Sequence, residues 1–324
     1  MSPPTPSRVQ AVLDGTGIVG GHGPYPPYSG SFYGQPGVHP NGEFLFELRP
    51  VEGLTIAANF GVGNNYIATQ SYGWQHGYPL DLTQAYLEYC RGIFCMRAGR
   101  EYETMGVETV RPDQRDFTIV SPNFSLMPFT RSMVSIGLVS DQATWRIGVS
   151  RGPDNIADTT RSPWGFTYFS YTGTKASFFT NFQAGPGEPG DARHVRINSD
   201  VGITYDPLPA LRLGIYGLFS AEESPTSGWQ YTAGGNFYLR ARREGSPIAG
   251  VVRLGITHDD GLRAGTLTDL AQMSGGINVY AADWLQFRFQ GDLLVSMNGS
   301  RPFDGQQVLP RATLQIIINP FAEF

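Results

Sequence analysis

Apolar and polar residues alternate with period 2 from one end of the chain to the other. Between Leu285 and Val295, Leu285, Phe287, Phe289, Gly291, Leu293 and Val295 share one face, while Gln286, Arg288, Gln290 and Asp292 share the other. Leu211, Leu213, Ile215 and Phe219 separate in the same way from Arg212, Gly214, Tyr216 and Ser220, and Val252, Leu254 and Ile256 from Arg253, Gly255 and Thr257. The division recurs over 54–62, 145–149, 201–205 and 229–239. It predicts about sixteen strands of roughly ten residues, at 9–20, 43–49, 54–62, 81–90, 94–101, 131–139, 142–151, 164–172, 174–183, 197–205, 210–221, 228–242, 250–259, 271–281, 284–297 and 309–319.

A soluble sandwich also alternates, with its apolar face on a core. The connections separate the two cases. Long gaps at 21–42, 63–80, 102–130, 152–163 and 184–196 alternate with short ones at 50–53, 140–141, 173 and 206–209, and later pairs follow the rule less sharply. Short turns on one rim and long loops on the other are the organisation of an outer-membrane β-barrel, with turns in the periplasm and loops outside. The fold class expected is therefore all-β, a transmembrane antiparallel barrel in the bacterial outer membrane, with residues 1–8 as a periplasmic tether and 9–324 as the barrel. At the C-terminus Leu314, Ile316 and Ile318 fall in phase with the terminal Phe324, opposite Arg311, Thr313, Gln315 and Asn319. An unpaired edge is not tolerated in lipid, so this last strand should pair with the first.

Composition removes several alternatives. With 41 glycines, 13% aromatic and only 16% charged residues, the profile is that of an all-β protein. No stretch approaches the ~18 apolar residues of a membrane-spanning helix. A net charge of −5 leaves no basic footprint for nucleic acid. The start, MSPPTPSRVQ, lacks the order of a secretory signal, so either the protein is not exported or this is a mature form with an added Met. GTGIVG at 15–20 fits the glycine pattern of a dinucleotide-binding turn, but GHGPYPPYSG follows it, and no helix starts on three prolines in ten residues. The glycines instead read as the end of the first strand, bending it at the barrel rim and leaving room inside.

LTQAYLEY at 82–89, RAGREYETMGVE at 97–108, MPFTRSMVSIG at 127–137 and GVSRGPDN at 148–155 together resemble the beta-barrel porin-2 (OmpL-like) family of bacterial outer-membrane porins. That family follows a Q-A-Y strand with an R/K-A-G-R/K strand, a long loop containing P-F-T, and a strand ending near an N-G-x-D-N turn. The match spans about 43–155; beyond it only the barrel pattern carries over. One departure is Thr104–Met105 before Gly106, where the family often has a proline.

The resemblance implies that the longest connection, 102–130, folds into the lumen and narrows it; the alternative is an ordinary solvated external loop. Its charges are Glu103, Glu108, Arg111, Asp113, Arg115 and Asp116. Mixed charge at a narrow point creates a transverse field that aligns dipolar solutes. On the barrel wall the polar phase places Arg97, Arg146, Arg212, Arg253, Arg288 and Arg311 in the lumen, against Glu47, Glu88 and Asp292. Six cations over three anions would give a mild preference for anions. Such a chain acts as a passive diffusion channel for small hydrophilic solutes or ions, with outer-membrane lipid around it, as a monomer or a homotrimer. A barrel plugged by 102–130, serving as a structural or docking component of a surface assembly, is the alternative.

Cys90 and Cys95 bracket RGIF in a short turn, opposed on two antiparallel strands where a disulfide is expected, free thiols being the competing reading. A closed zinc site there would lack ligands. His22, His39, His76, His194 and His258 fall in loops or at strand ends, and neither H-E-x-x-H nor G-x-S-x-G occurs. His76, between Trp74 and Tyr78, could help bind a sugar or a cation, the competing reading being that the two rings are interfacial or loop-packing aromatics. No catalytic residue, metal site or cofactor is expected.

Overall fold

The computed structural model describes residues 8–19, 37–63, 80–102, 108, 114–125, 130–153, 163–187, 194–224, 228–261, 267–300, 303 and 306–319. Sixteen strands follow one another: β1 (Arg8–Val19), β2 (Gly37–Val51), β3 (Leu54–Gly63), β4 (Leu80–Arg91), β5 (Phe94–Tyr102), β6 (Thr130–Val139), β7 (Ala143–Pro153), β8 (Trp164–Thr172), β9 (Ala176–Pro186), β10 (Val195–Leu208), β11 (Leu211–Ser224), β12 (Gly228–Ala241), β13 (Ile248–Asp260), β14 (Leu267–Ala282), β15 (Leu285–Ser296) and β16 (Val308–Ile318). Each pairs antiparallel with its neighbour in sequence, and β1 pairs with β16 from Leu13↔Ile318 to Val19↔Ala312, which closes the barrel. Most of the tether proposed at 1–8, and the terminal Phe324, lie outside the described residues.

Period-2 alternation becomes two surfaces. Along β16 Leu309, Arg311, Thr313, Gln315 and Ile317 are buried, whereas Leu314 and Ile316 face outward. Ile215 and Ile256, each 62% exposed, stand among Val134, Ile136, Val201, Ile203, Leu254 and Phe289 on the outer wall. An apolar surface of this extent is untenable in water and suits hydrocarbon, while closure gives every strand a partner on both sides. Near the short-turn rim the outer wall carries Tyr89, Trp145, Tyr171, Tyr205 and Trp284, all exposed, at the level where amphipathic rings meet lipid headgroups. Among the described residues no helix is long and apolar enough to cross a membrane.

Two sequence expectations need correction. β2 starts at Gly37, six residues before the predicted 43, so His39 lies within a strand. Its early half pairs with β1 alone, because β3 ends at Gly63 opposite Asn41. That is an edge position, where Pro40 can sit without breaking a ladder. Gly15 and Gly17 do not leave room inside: they lie opposite Ile316 and Leu314, whose side chains point outward, so the glycines belong to the outer face. As the sequence indicates, gap lengths alternate less sharply late in the chain, where β11 and β12 are separated by 225–227 on the long-loop rim and β12 and β13 by 242–247 on the short-turn rim.

The disulfide is present between Cys90 and Cys95, with Cα atoms 4.1 Å apart. The Cys90 amide donates to the Gly53 carbonyl at 2.8 Å, on the side away from β5. The two cysteines therefore face each other as a non-hydrogen-bonded pair, the closer of the two antiparallel spacings.

Candidate functional site

The described residues between β5 and β6, 108 and 114–125, lie in the lumen against the inner faces of β11 to β15. Phe117 is the anchor: it packs on Tyr216, Leu218, Tyr238 and Val251, with Phe179 beside them, and its ring meets Tyr238 at 6.0 Å between centroids. Polar contacts fix the rest. The Thr118 amide donates to Gln290 Oε1 (2.6 Å), and Asn278 donates to the Asp116 carbonyl (3.0 Å). Ser121 caps a single helical turn, Pro122–Ser125, accepting from the Phe124 amide at 3.2 Å, with Pro122 at the position where its missing N–H costs nothing. Asn123 donates to Asn236 Oδ1 (2.9 Å) and the Ile256 carbonyl (3.0 Å), and accepts from Thr257 (2.6 Å). Gly234 makes this approach possible, since a Cβ there would stand 2.0 Å from Asn123 Oδ1 and 2.8 Å from the Ile256 carbonyl.

Of the six loop charges, Glu103, Arg111 and Asp113 lie outside the described residues. Glu108 is buried and receives three donors: Arg253 Nη1 (2.6 Å), the Tyr238 hydroxyl (3.1 Å) and the Ser121 amide (2.7 Å). Asp116 lies 3.5 Å from Arg240. Arg115 is buried at 4% exposure.

All nine wall residues read from the polar phase face inward, and each is engaged. Arg97 bridges Glu88 (2.9 Å) and Glu101 (2.5 Å) over the Tyr86 ring, and Arg146 also holds Glu88. Arg311 and Arg253 both approach Asp292, the first with Nε at 3.1 Å, the second at 3.6 Å. Asp292 further accepts from Gln272 (2.7 Å) and Ser274 (2.5 Å). Arg288 donates to Gln315 (3.2 Å), Arg212 to Asp206 through two bonds (2.8 and 2.9 Å), and Glu47 forms an ion pair with Arg49 (2.6 Å).

The expected excess of cations on the wall is not there. Inward-facing Glu43, Asp81, Glu101, Asp200, Glu222 and Asp259 join the acids, and Arg131, Arg196 and Arg240 the bases, so that described acids match described bases on the wall. Apart from Asp200, they stand at or near the ends of the predicted strands, where alternation has the fewest neighbours to define it. Sequence reading also missed Phe303, which packs inside on Leu270, Leu294 and Leu309 from the connection between β15 and β16.

His258 stands on the outer face near the long-loop rim, between Asp269 (2.6 Å) and Asp260 (3.0 Å), with Tyr231 4.8 Å away. The side chains of His22, His39 and His76 lie outside the described residues. Among the described residues no group of three His, Cys, Asp or Glu could hold a metal ion.

The geometry is that of a barrel whose outer face suits lipid and whose inner face is polar, charge-paired and crossed by an inward segment. Solved structures of the same shape exist. An anion-selective porin from Comamonas acidovorans superposes with a TM-score of 0.66 at 9% identity, covering 97% of this chain and 99% of that one. A loop-deletion mutant of OmpT, an outer membrane protein of Vibrio cholerae, gives 0.65 at 7%, covering 97% and 99%. Salmonella typhi OmpF in complex with daunomycin gives 0.64 at 11%, covering 97% of each chain. The fold is that of outer-membrane β-barrels, porins among them. No family model matches the chain, and no curated protein does. Fold is thus shared where sequence is not.

Proposed function

We propose that this chain is a bacterial outer-membrane porin, a passive diffusion channel for small hydrophilic solutes or ions, narrowed by the segment between β5 and β6. The observation that carries this reading is the pairing of an apolar outer wall with a charged inner wall against which that segment is seated. Membrane lipid is the partner outside and hydrophilic solute the partner inside. Mechanism then requires no covalent step: lumen side chains replace part of the solute's hydration, and size with electrostatics sets the flux. The resemblance of residues 43–155 to the porin-2 family, and the shared fold with porins, support the same reading. Both monomer and homotrimer are compatible with it; one similar structure, OmpT of Vibrio cholerae, is a trimer form.

A second reading, a plugged barrel serving as a structural or docking component, is favoured by one observation. From Phe117 to Phe124 every residue is buried, so this stretch is enclosed instead of washed by a wide lumen. Single-channel recording of the purified barrel in a planar bilayer separates the two. Discrete conductance steps are expected for the porin; silence from a barrel whose folding has been verified would transfer the assignment to the plug.

A further inference from the structure

Charges around the inward segment nearly cancel, and the remainder sits in one place. Glu108 is taken by Arg253, Asp206 by Arg212, and Asp116 lies against Arg240. Arg115 is left over. Its side chain is buried, and none of Nε, Nη1 and Nη2 has a hydrogen-bond partner among the described residues. A guanidinium cannot shed its proton, and a buried charge without a counter-charge is strongly unfavourable, so this group calls for an anion.

Space for one lies beside it. Arg115 lines a cavity of about 150 Å³ together with Arg212, Arg240, Glu108 and Asp116. That is the room of about five water molecules, enough for a small oxyanion and too little for a nucleotide. Arg212 and Arg240 also line a wider vestibule of about 670 Å³ at the short-turn rim, where Lys175, Arg242 and Arg243 outnumber Glu244 and Asp206. Tyr280 gathers two of these cations, its hydroxyl accepting from Arg240 at 3.0 Å and its ring lying 4.2 Å under Arg242. Like charges held together repel, and an anion between them relieves the repulsion. Planar guanidinium forks match the paired oxygens of phosphate or carboxylate.

We propose that Arg115, Arg240 and Arg212 form a binding site for a small oxyanion of the inorganic phosphate class, entered from the short-turn vestibule. As a solute site it rests on the porin reading; as a binding site it does not.

Calorimetry of the folded barrel in non-ionic detergent, titrated with inorganic phosphate, tests the proposal. Saturable binding that weakens as chloride is raised is expected. Arg115→Gln should weaken it at least tenfold without lowering the temperature at which the folded form is lost on heat-modifiability gels. Arg240→Gln should weaken it similarly, and carries the test alone if the first variant does not fold. An absence of saturable binding in the wild type, or unchanged affinity in a folded variant, would overturn the site. Conductance recorded in parallel keeps the failures apart: binding by a silent barrel retains the site and removes the porin reading, whereas conduction without binding does the opposite.

Discussion

At the scale of single residues, the inner wall is built from charges that satisfy one another in place. Glu108 shows what such a residue holds. It joins the inward segment to β12 and β13 through Tyr238 and Arg253 and fixes the segment's own backbone through the Ser121 amide. Glu108→Gln keeps the shape and removes the charge. Arg253 retains Asp292 at 3.6 Å, so the loss should fall short of the roughly 3–5 kcal/mol of a fully broken buried pair, at about 2 kcal/mol. Thermal unfolding of the barrel read by circular dichroism would show a lower midpoint; an unchanged midpoint would mean that Glu108 does not hold the segment. The sequence made Glu108 visible only as one of six loop charges, because Tyr238 and Arg253 are more than a hundred residues away and no local spacing reports them.

At the scale of elements, strands and segment differ in how they hold their place. Strands are fixed by ladders, the inward segment by Phe117 in its aromatic seat and by a few polar contacts. Removing the ring in Phe117→Ala should cost about 3–5 kcal/mol of local packing, more than those contacts can offset. Larger conductance steps and protease sensitivity confined to the connection between β5 and β6 are the expected outcome. Steps of wild-type size with an uncut connection would argue against Phe117 as the anchor. The disulfide belongs to the opposite case. It closes a connection of a few residues already held by the ladder, so breaking it in Cys90→Ser, Cys95→Ser should cost no more than about 2 kcal/mol and leave the strand register unchanged. Urea midpoints with and without reductant would measure this. Legibility divides along the same line. All sixteen strands are legible in period-2 alternation because each residue's side is decided by its immediate neighbours, and the predicted 164–172 coincides with β8. The seat of Phe117 is not, since it is assembled from β11, β12 and β13 only once the barrel closes.

At the scale of the whole molecule, a barrel in lipid inverts the usual sense of inside and outside. Charged residues such as Arg131, Arg253 and Arg288 are buried, while Ile215 and Ile256 are the exposed ones. The sequence carries this inversion only through loop lengths, since alternation alone serves a soluble sandwich equally well. One substitution tests the orientation directly. Ile256 is 62% exposed and flanked on the outer face by Leu254. If that face met water, Ile256→Arg would be nearly neutral, within about 0.5 kcal/mol. Facing hydrocarbon, it should cost about 2–4 kcal/mol near the bilayer midplane and less toward the rims. Folding equilibria in phospholipid vesicles would resolve the two values, and the same substitution in Ile215→Arg, on the neighbouring pair of strands, should behave alike. A neutral result at both positions would remove the lipid-facing assignment and the channel reading with it. A matched cost at both would place the β11 to β13 wall in the membrane by a measurement independent of any conduction.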